Sequence, residues 1–170
     1  MRRIAESILA FLRAVVQPFL RKGSKGTGAA GVTLDTDLYM KGIEMFIREG
    51  KDVEMAPKGS SMLPFIKGGR DSVLITRPSE RLEVGNIVLA RIGERYIMHR
   101  IFAVEGGSLT LMGDGNINGT ETCAVKDVIG QVVEVHKENG RVVKVGKGRL
   151  WRFLRPVRRF LLAFYKRVIL

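Results

Sequence analysis

The chain has 170 residues, enough for one ordinary domain, and its 45% apolar and 27% charged residues describe a globular protein with a packed core. One cysteine, Cys123, excludes an internal disulfide framework; with only two histidines beside it, no zinc or other soft-metal cluster can be assembled, and no cofactor is expected. The net charge of +12 points to nucleic acid only until it is located. Residues 1–30 carry six Lys/Arg and one Glu, residues 147–170 carry eight and no acid, and the central residues are left at −1. The positive field belongs to two tails, which speaks for attachment to a surface and against a nucleic-acid-binding core.

In chain order, residues 1–22 read as a basic amphipathic helix. Ile4, Ile8, Phe11, Leu12, Val15 and Phe19 fall on one face at 100° per residue, with Arg2, Glu6, Arg13 and Gln17 opposite. Its uncharged runs, 7–12 and 14–20, are far short of the ~20 apolar residues a spanning helix needs. Residues 23–35 are Gly-rich and read as a flexible linker. A second helix is expected to start at Thr36 or Asp37, to bury Leu38, Met45 and Phe46, and to stop at Gly50.

From Val53 the texture becomes short β-like runs punctuated by glycine: Ser72–Thr76, Ile87–Ile92, 96–104, Ser108–Met112, Val128–His136 and 141–145. Gly106-Gly107 and Asn139-Gly140 are hairpin signals between such runs. Many short strands without intervening helices predict a mainly β, antiparallel core. Residues 36–146 are taken as the domain proper. Residues 147–170 form a basic amphipathic C-terminal helix, with Phe153, Val157, Phe160, Leu161, Phe164 and Val168 on one face.

Three stretches depart from what a plain β-barrel needs. In Lys58-Gly59-Ser60-Ser61-Met62-Leu63-Pro64 a serine stands on a tight turn, where its Oγ can be offered to a substrate and nearby N–H groups can hold an oxyanion. In Tyr96-Ile97-Met98-His99-Arg100-Ile101-Phe102 a histidine and an arginine sit side by side in an apolar run and project to opposite faces. In Leu111-Met112-Gly113-Asp114-Gly115-Asn116 an acid lies between two glycines after a strand. Each alone is an ordinary loop, core histidine or turn.

Taken together, and with Val84-Gly85-Asn86-Ile87-Val88 and Val128-Ile129-Gly130, the series resembles the type I signal peptidases and the LexA-like serine peptidases related to them. The resemblance spans about residues 53–135 and is closest to the branch of the endoplasmic reticulum and archaea, which pairs Ser with His. It implies a coiled antiparallel β fold and leaves unexplained both tails, whose amphipathic helices rest on their own periodicity. It also implies a serine endopeptidase that cleaves an extended polypeptide segment, such as a leader or signal-like peptide, after a small residue. Carried over residue by residue, Ser61 is the nucleophile, His99 the general base, and Asp114 the acid that orients His99 or offsets its charge. An imidazole suits the role because its ordinary pKa of about 6.5 lets it be neutral yet accept a proton readily. Ser60, Ser61 and Met62 are the expected oxyanion or substrate-binding positions.

Two departures stand out. Relatives place a serine hydroxyl two positions before the nucleophile, where this chain has Gly59, so the hole relies on backbone N–H groups or on Ser60. Their glycine–aspartate box carries a second aspartate, a role that is missing here or passes to Glu121. A LexA-like self-cleaving regulator wants a lysine base and a DNA-binding helical domain. A degenerate, non-catalytic peptide- or membrane-binding domain is the other alternative. The expected partners are a polypeptide substrate and an anionic membrane surface met by the tails, which makes the protein peripheral on the membrane or cytoplasmic, without a transmembrane helix.

Overall fold

The computed structural model describes residues 36–169. The expected helix at 1–22 and linker at 23–35 lie outside the described residues. The chain parts into two units, residues 1–43 and 44–170. Of the first, residues 36–43 are described and are helical.

Helix α1 spans Thr36–Arg48, with Asp37 in its first turn and Arg48 in its last, both favourable to the helix dipole. Its buried stripe is Met40, Ile43, Phe46 and Ile47, whereas Leu38 and Met45 are exposed. Of the three residues expected inside, only Phe46 is buried. The stripe at spacing i, i+3, i+7 is drawn through Met40, Ile43 and Ile47 instead.

Eight strands follow: β1 Val53–Met55, β2 Ser72–Thr76, β3 Ile87–Ile92, β4 Arg95–Glu105, β5 Ser108–Met112, β6 Glu121–Ala124, β7 Val128–His136 and β8 Val142–Lys144. They form one sheet, entirely antiparallel, in the order β1-β2-β7-β3-β4-β5-β6, with β8 paired to the far end of β7. The mainly β expectation is met. The β4–β5 hairpin turns on Gly106 and Gly107, both at positive φ (52° and 85°), the backbone that two-residue hairpin loops require. Register shifts at Leu74/Ile75, Leu89/Ala90 and Ile101/Ala103 bend the strands they interrupt.

Burial alternates along β2, as on a strand covered on one face, but Ile87 to Ala90 of β3 are buried without a break. The middle of the sheet is therefore covered on both sides. Val88 and Ala90 pack in one cluster with Ile101, Leu109, Leu111 and Cys123, which closes β3, β4, β5 and β6 over a common core.

The C-terminal segment is not one helix. Helix α2 (Arg149–Phe153) runs into a 3₁₀ turn over Arg155–Val157 that contains Pro156, and helix α3 follows over Arg158–Ile169. The break falls where a proline ring and a missing N–H forbid an interior helical turn. None of the described helices is long and apolar enough to cross a membrane.

Candidate functional site

Residues 56–71 connect β1 to β2 as a long, folded loop, and its hydrogen bonds fix where Ser61 stands. Gly69 N–H donates to Pro57 O (2.9 Å), which ties the loop's two limbs together. Leu63 N–H donates to Ser60 O (3.2 Å), while Phe65 and Ile66 donate to Met62 O, which winds the turn tightly just after Ser61. At the far end, buried Asp71 accepts from Lys67 N–H and Lys137 Nζ, both at 2.8 Å. The loop is thus anchored to the end of β7.

Gly59 stands at φ +86° in this loop. A side chain there would be held in the left-handed region, so glycine at this position is a requirement of this backbone. No hydroxyl is available from that position. The N–H groups of Ser61 and Met62, by contrast, have no acceptor among the described residues, and Ser60 is exposed beside them. Met62 and Leu63 are buried in the core. Met62 was expected among substrate-binding residues; its side chain belongs to the packing. Phe65 is the apolar residue of the turn that remains exposed.

The loop meets the end of β5 at Gly113. Gly115 N–H donates to Ser61 O at 2.7 Å. A methyl group placed on Gly113 would stand 2.5 Å from Ser61 O, 2.9 Å from Asn116 Nδ2 and 3.0 Å from His99 Nε2. The missing side chain at Gly113 is therefore what lets the serine turn and the histidine ring converge. The Ser61 hydroxyl makes no hydrogen bond with the ring among the described residues.

His99 lies on β4, opposite Val88, and is buried. Its Nδ1 is 2.9 Å from Glu121 Oε2, at the start of β6. A neutral ring that donates from Nδ1 to this carboxylate presents the bare Nε2 toward Gly113 and the serine turn, the arrangement a general base needs.

Asp114 does not serve His99. It accepts from Arg100 Nε (2.9 Å) and Nη2 (2.8 Å) in a buried, two-pronged ion pair. Arg100 Nη1 completes the set by donating to Gly85 O and Gly146 O, both at 2.7 Å. A guanidinium buried in a β run must find a carboxylate and satisfy its remaining N–H groups, and the glycine–aspartate turn supplies the carboxylate. The acid beside His99 is Glu121, a residue placed by β5–β6 pairing rather than by the Gly113–Asn116 turn. The valine–glycine–asparagine box at 84–86 also acts through Arg100, since Gly85 gives it a carbonyl and Asn86 Oδ1 accepts from Glu83 N–H at 2.7 Å.

The C-terminal segment reaches the same turn from outside. Trp151 Nε1 donates to Asp114 O (2.9 Å), and its ring meets Phe65 edge-on at 5.5 Å. Buried Arg158 donates to Asn116 O (3.4 Å) and to Trp151 O (3.1 Å). Burial lowers the Arg158 pKa, with Asp114 opposing the shift.

No family model matches this chain, and no curated protein matches it.

Proposed function

We propose that the protein is a serine endopeptidase in which Ser61 attacks the scissile carbonyl and His99, oriented by Glu121, takes the Ser61 proton. The observation that carries this reading is the convergence at Gly113 of the serine turn and of His99 Nε2, with the other ring nitrogen held by Glu121. In the forward step the Oγ–H bond breaks, the proton passes to Nε2, and Oγ bonds to the carbonyl carbon. The imidazolium so formed is offset by Glu121 and returns the proton to the leaving amine. The oxyanion is received by the unengaged N–H groups around Ser61, since Gly59 offers no hydroxyl.

The substrate is an extended polypeptide segment that pairs with the sheet. Among the described residues strand β1 is bonded on one side only, by β2, and is an edge of the sheet, and the chain leaves it directly for the serine loop. Strand addition there delivers main chain to the nucleophile by ladder hydrogen bonds, with side chains sorted by their alternate faces. The signal peptidase type of β fold, and cleavage after a small residue, belong to this proposal.

The test compares mature N-termini in cells that carry the wild-type protein or Ser61→Ala. Termini that vanish in the mutant identify substrates and cleavage rule together. An unchanged set of termini, with a folded mutant protein, removes Ser61 as nucleophile.

A further inference from the structure

The C-terminal segment has one side committed to the domain and one side open. Trp151, Arg158 and buried Leu162 face inward, the first two holding the carbonyls of Asp114 and Asn116. The apolar stripe of the segment is not what it packs with. Leu150 (71% exposed), Phe153 (81%), Val157, Phe160 and Leu161 all stand in solvent. Large apolar residues gathered on one exposed surface mark a place where something binds.

The chemistry around the stripe says what. Arg149, Arg155, Arg159 and Arg167 are exposed among or beside it, and no carboxylate follows Glu138 in the sequence. Between residues 150 and 170 every side chain is apolar, aromatic or cationic; there is no Ser, Thr, Asn or Gln. A protein partner ordinarily requires a hydrogen bond per 100–200 Å² of interface, with donors and acceptors on both sides. This surface offers cationic donors and hydrocarbon, without neutral acceptors. An anionic bilayer interface takes both: acyl chains accept the stripe and headgroup phosphates accept the arginines.

We infer that the exposed face of α2, the 3₁₀ turn and α3 docks on anionic lipid, with Trp151 and Arg158 latching that face to the Gly113–Asn116 turn. Docking itself does not depend on the chemistry of Ser61. Its consequence, cleavage of polypeptide held at a fixed height above the bilayer, rests on the peptidase reading.

The experiment sediments the full chain with vesicles of phosphatidylcholine alone or with phosphatidylglycerol added. Wild type should bind only the anionic vesicles and lose binding as salt is raised. Phe153→Ser/Phe160→Ser and Arg159→Glu/Arg167→Glu, both on the exposed face, should each weaken binding at least about tenfold while the thermal midpoint holds. Acyl chains brominated near the headgroup should quench a Phe153→Trp variant more strongly than wild type, whose sole tryptophan, Trp151, faces the domain. Ser61→Ala should bind as wild type does, whether or not it has lost cleavage, which separates this inference from the peptidase assignment. Undiminished binding by both double variants, with the Phe153→Trp variant no more quenched than wild type, would transfer the attachment to residues 1–30 and overturn the inference. So would absence of lipid binding, including the case in which the face binds an acidic protein instead. If a double variant fails to fold, quenching of the Phe153→Trp variant still decides.

Discussion

The protein's two histidines make the same first contact and differ in all that surrounds it. His99 Nδ1 lies 2.9 Å from Glu121, and His136 Nδ1 lies 2.8 Å from Glu54. The His99 side chain is 8% exposed, and its Nε2 lies against Gly113 beside the serine turn. The His136 side chain is 29% exposed, and its Nε2 is taken by Glu134 at 3.4 Å. With an acid on each nitrogen, His136 is favoured as a cation. Its pKa is raised, first by the hydrogen bond to Glu54, against a smaller opposing effect of desolvation. A histidine–glutamate pair becomes a candidate base only where the second nitrogen is left for a nucleophile. Where both nitrogens meet carboxylates, the ring is a strap between β7 and the edge strand β1.

The largest effect that would break this contrast is at the nucleophile. Ser61→Ala should leave a folded protein whose cleavage rate falls by about 10³-fold or more, while Ser60→Ala retains most activity. Equal losses from the two would make the turn, rather than one hydroxyl, the essential feature. Next come the histidines themselves. His99→Ala should abolish cleavage in a single-turnover assay and His136→Ala should leave the rate near wild type. A matching loss from His136→Ala would erase the distinction between base and strap.

The acids sharpen it further. Glu121→Gln should lower kcat about a hundredfold with an unchanged denaturant midpoint, because it removes the group that orients the ring. Asp114→Asn should do the reverse. It leaves Arg100 buried without its counter-charge, so roughly 3–5 kcal/mol of stability should be lost in urea unfolding. An Asp114→Asn protein of full stability that cannot cleave would restore that aspartate to the chemistry.

The smallest effect belongs to His136. Its folded-state pKa lies above the ordinary value of 6.5. A raised value contributes stability that is fully present below the unfolded pKa and lost as pH rises through the folded one. The urea midpoint of wild type should therefore decline as pH is raised through and above the imidazole range, and His136→Gln should remove that part of the decline. A wild-type curve that climbs over the same interval would show that Glu54 and Glu134 do not hold a cation.

Several strands were readable from alternation and turn chemistry: β2, β3, β5 and β7 fall where the β-like runs were expected. Strand β6 was not, because Glu121-Thr122-Cys123-Ala124 has neither a β-branched run nor an apolar alternation, and it pairs only as the outer neighbour of β5. Glu121 was hard to place for the same reason, since its approach to His99 depends on that pairing across 22 residues. Asp114 carried a clue that local reading passes over. Arg100 sits in an apolar run and pairs with Met112, two residues before Asp114, so pairing of the two strands carries that acid toward the buried guanidinium. In α1 the periodicity was correct and the face was not, because apolar residues occur on more than one side of that helix.

His99 and Arg100 are neighbours on β4, and one carries the base of the proposed reaction while the other closes Gly85, Gly146 and Asp114 around itself. Strand side chains alternate with a period of two, so a pairing error of a single residue in β4 would exchange them. The guanidinium would then be carried away from its carboxylate, and the imidazole toward a site built for a cation. A misregistered sheet would thus be inactive and also electrostatically penalised. The ion pair acts as a proofreader of the pairing: chains that settle with Arg100 matched to Asp114 have, by the same choice of register, put His99 on the side where Ser61 stands.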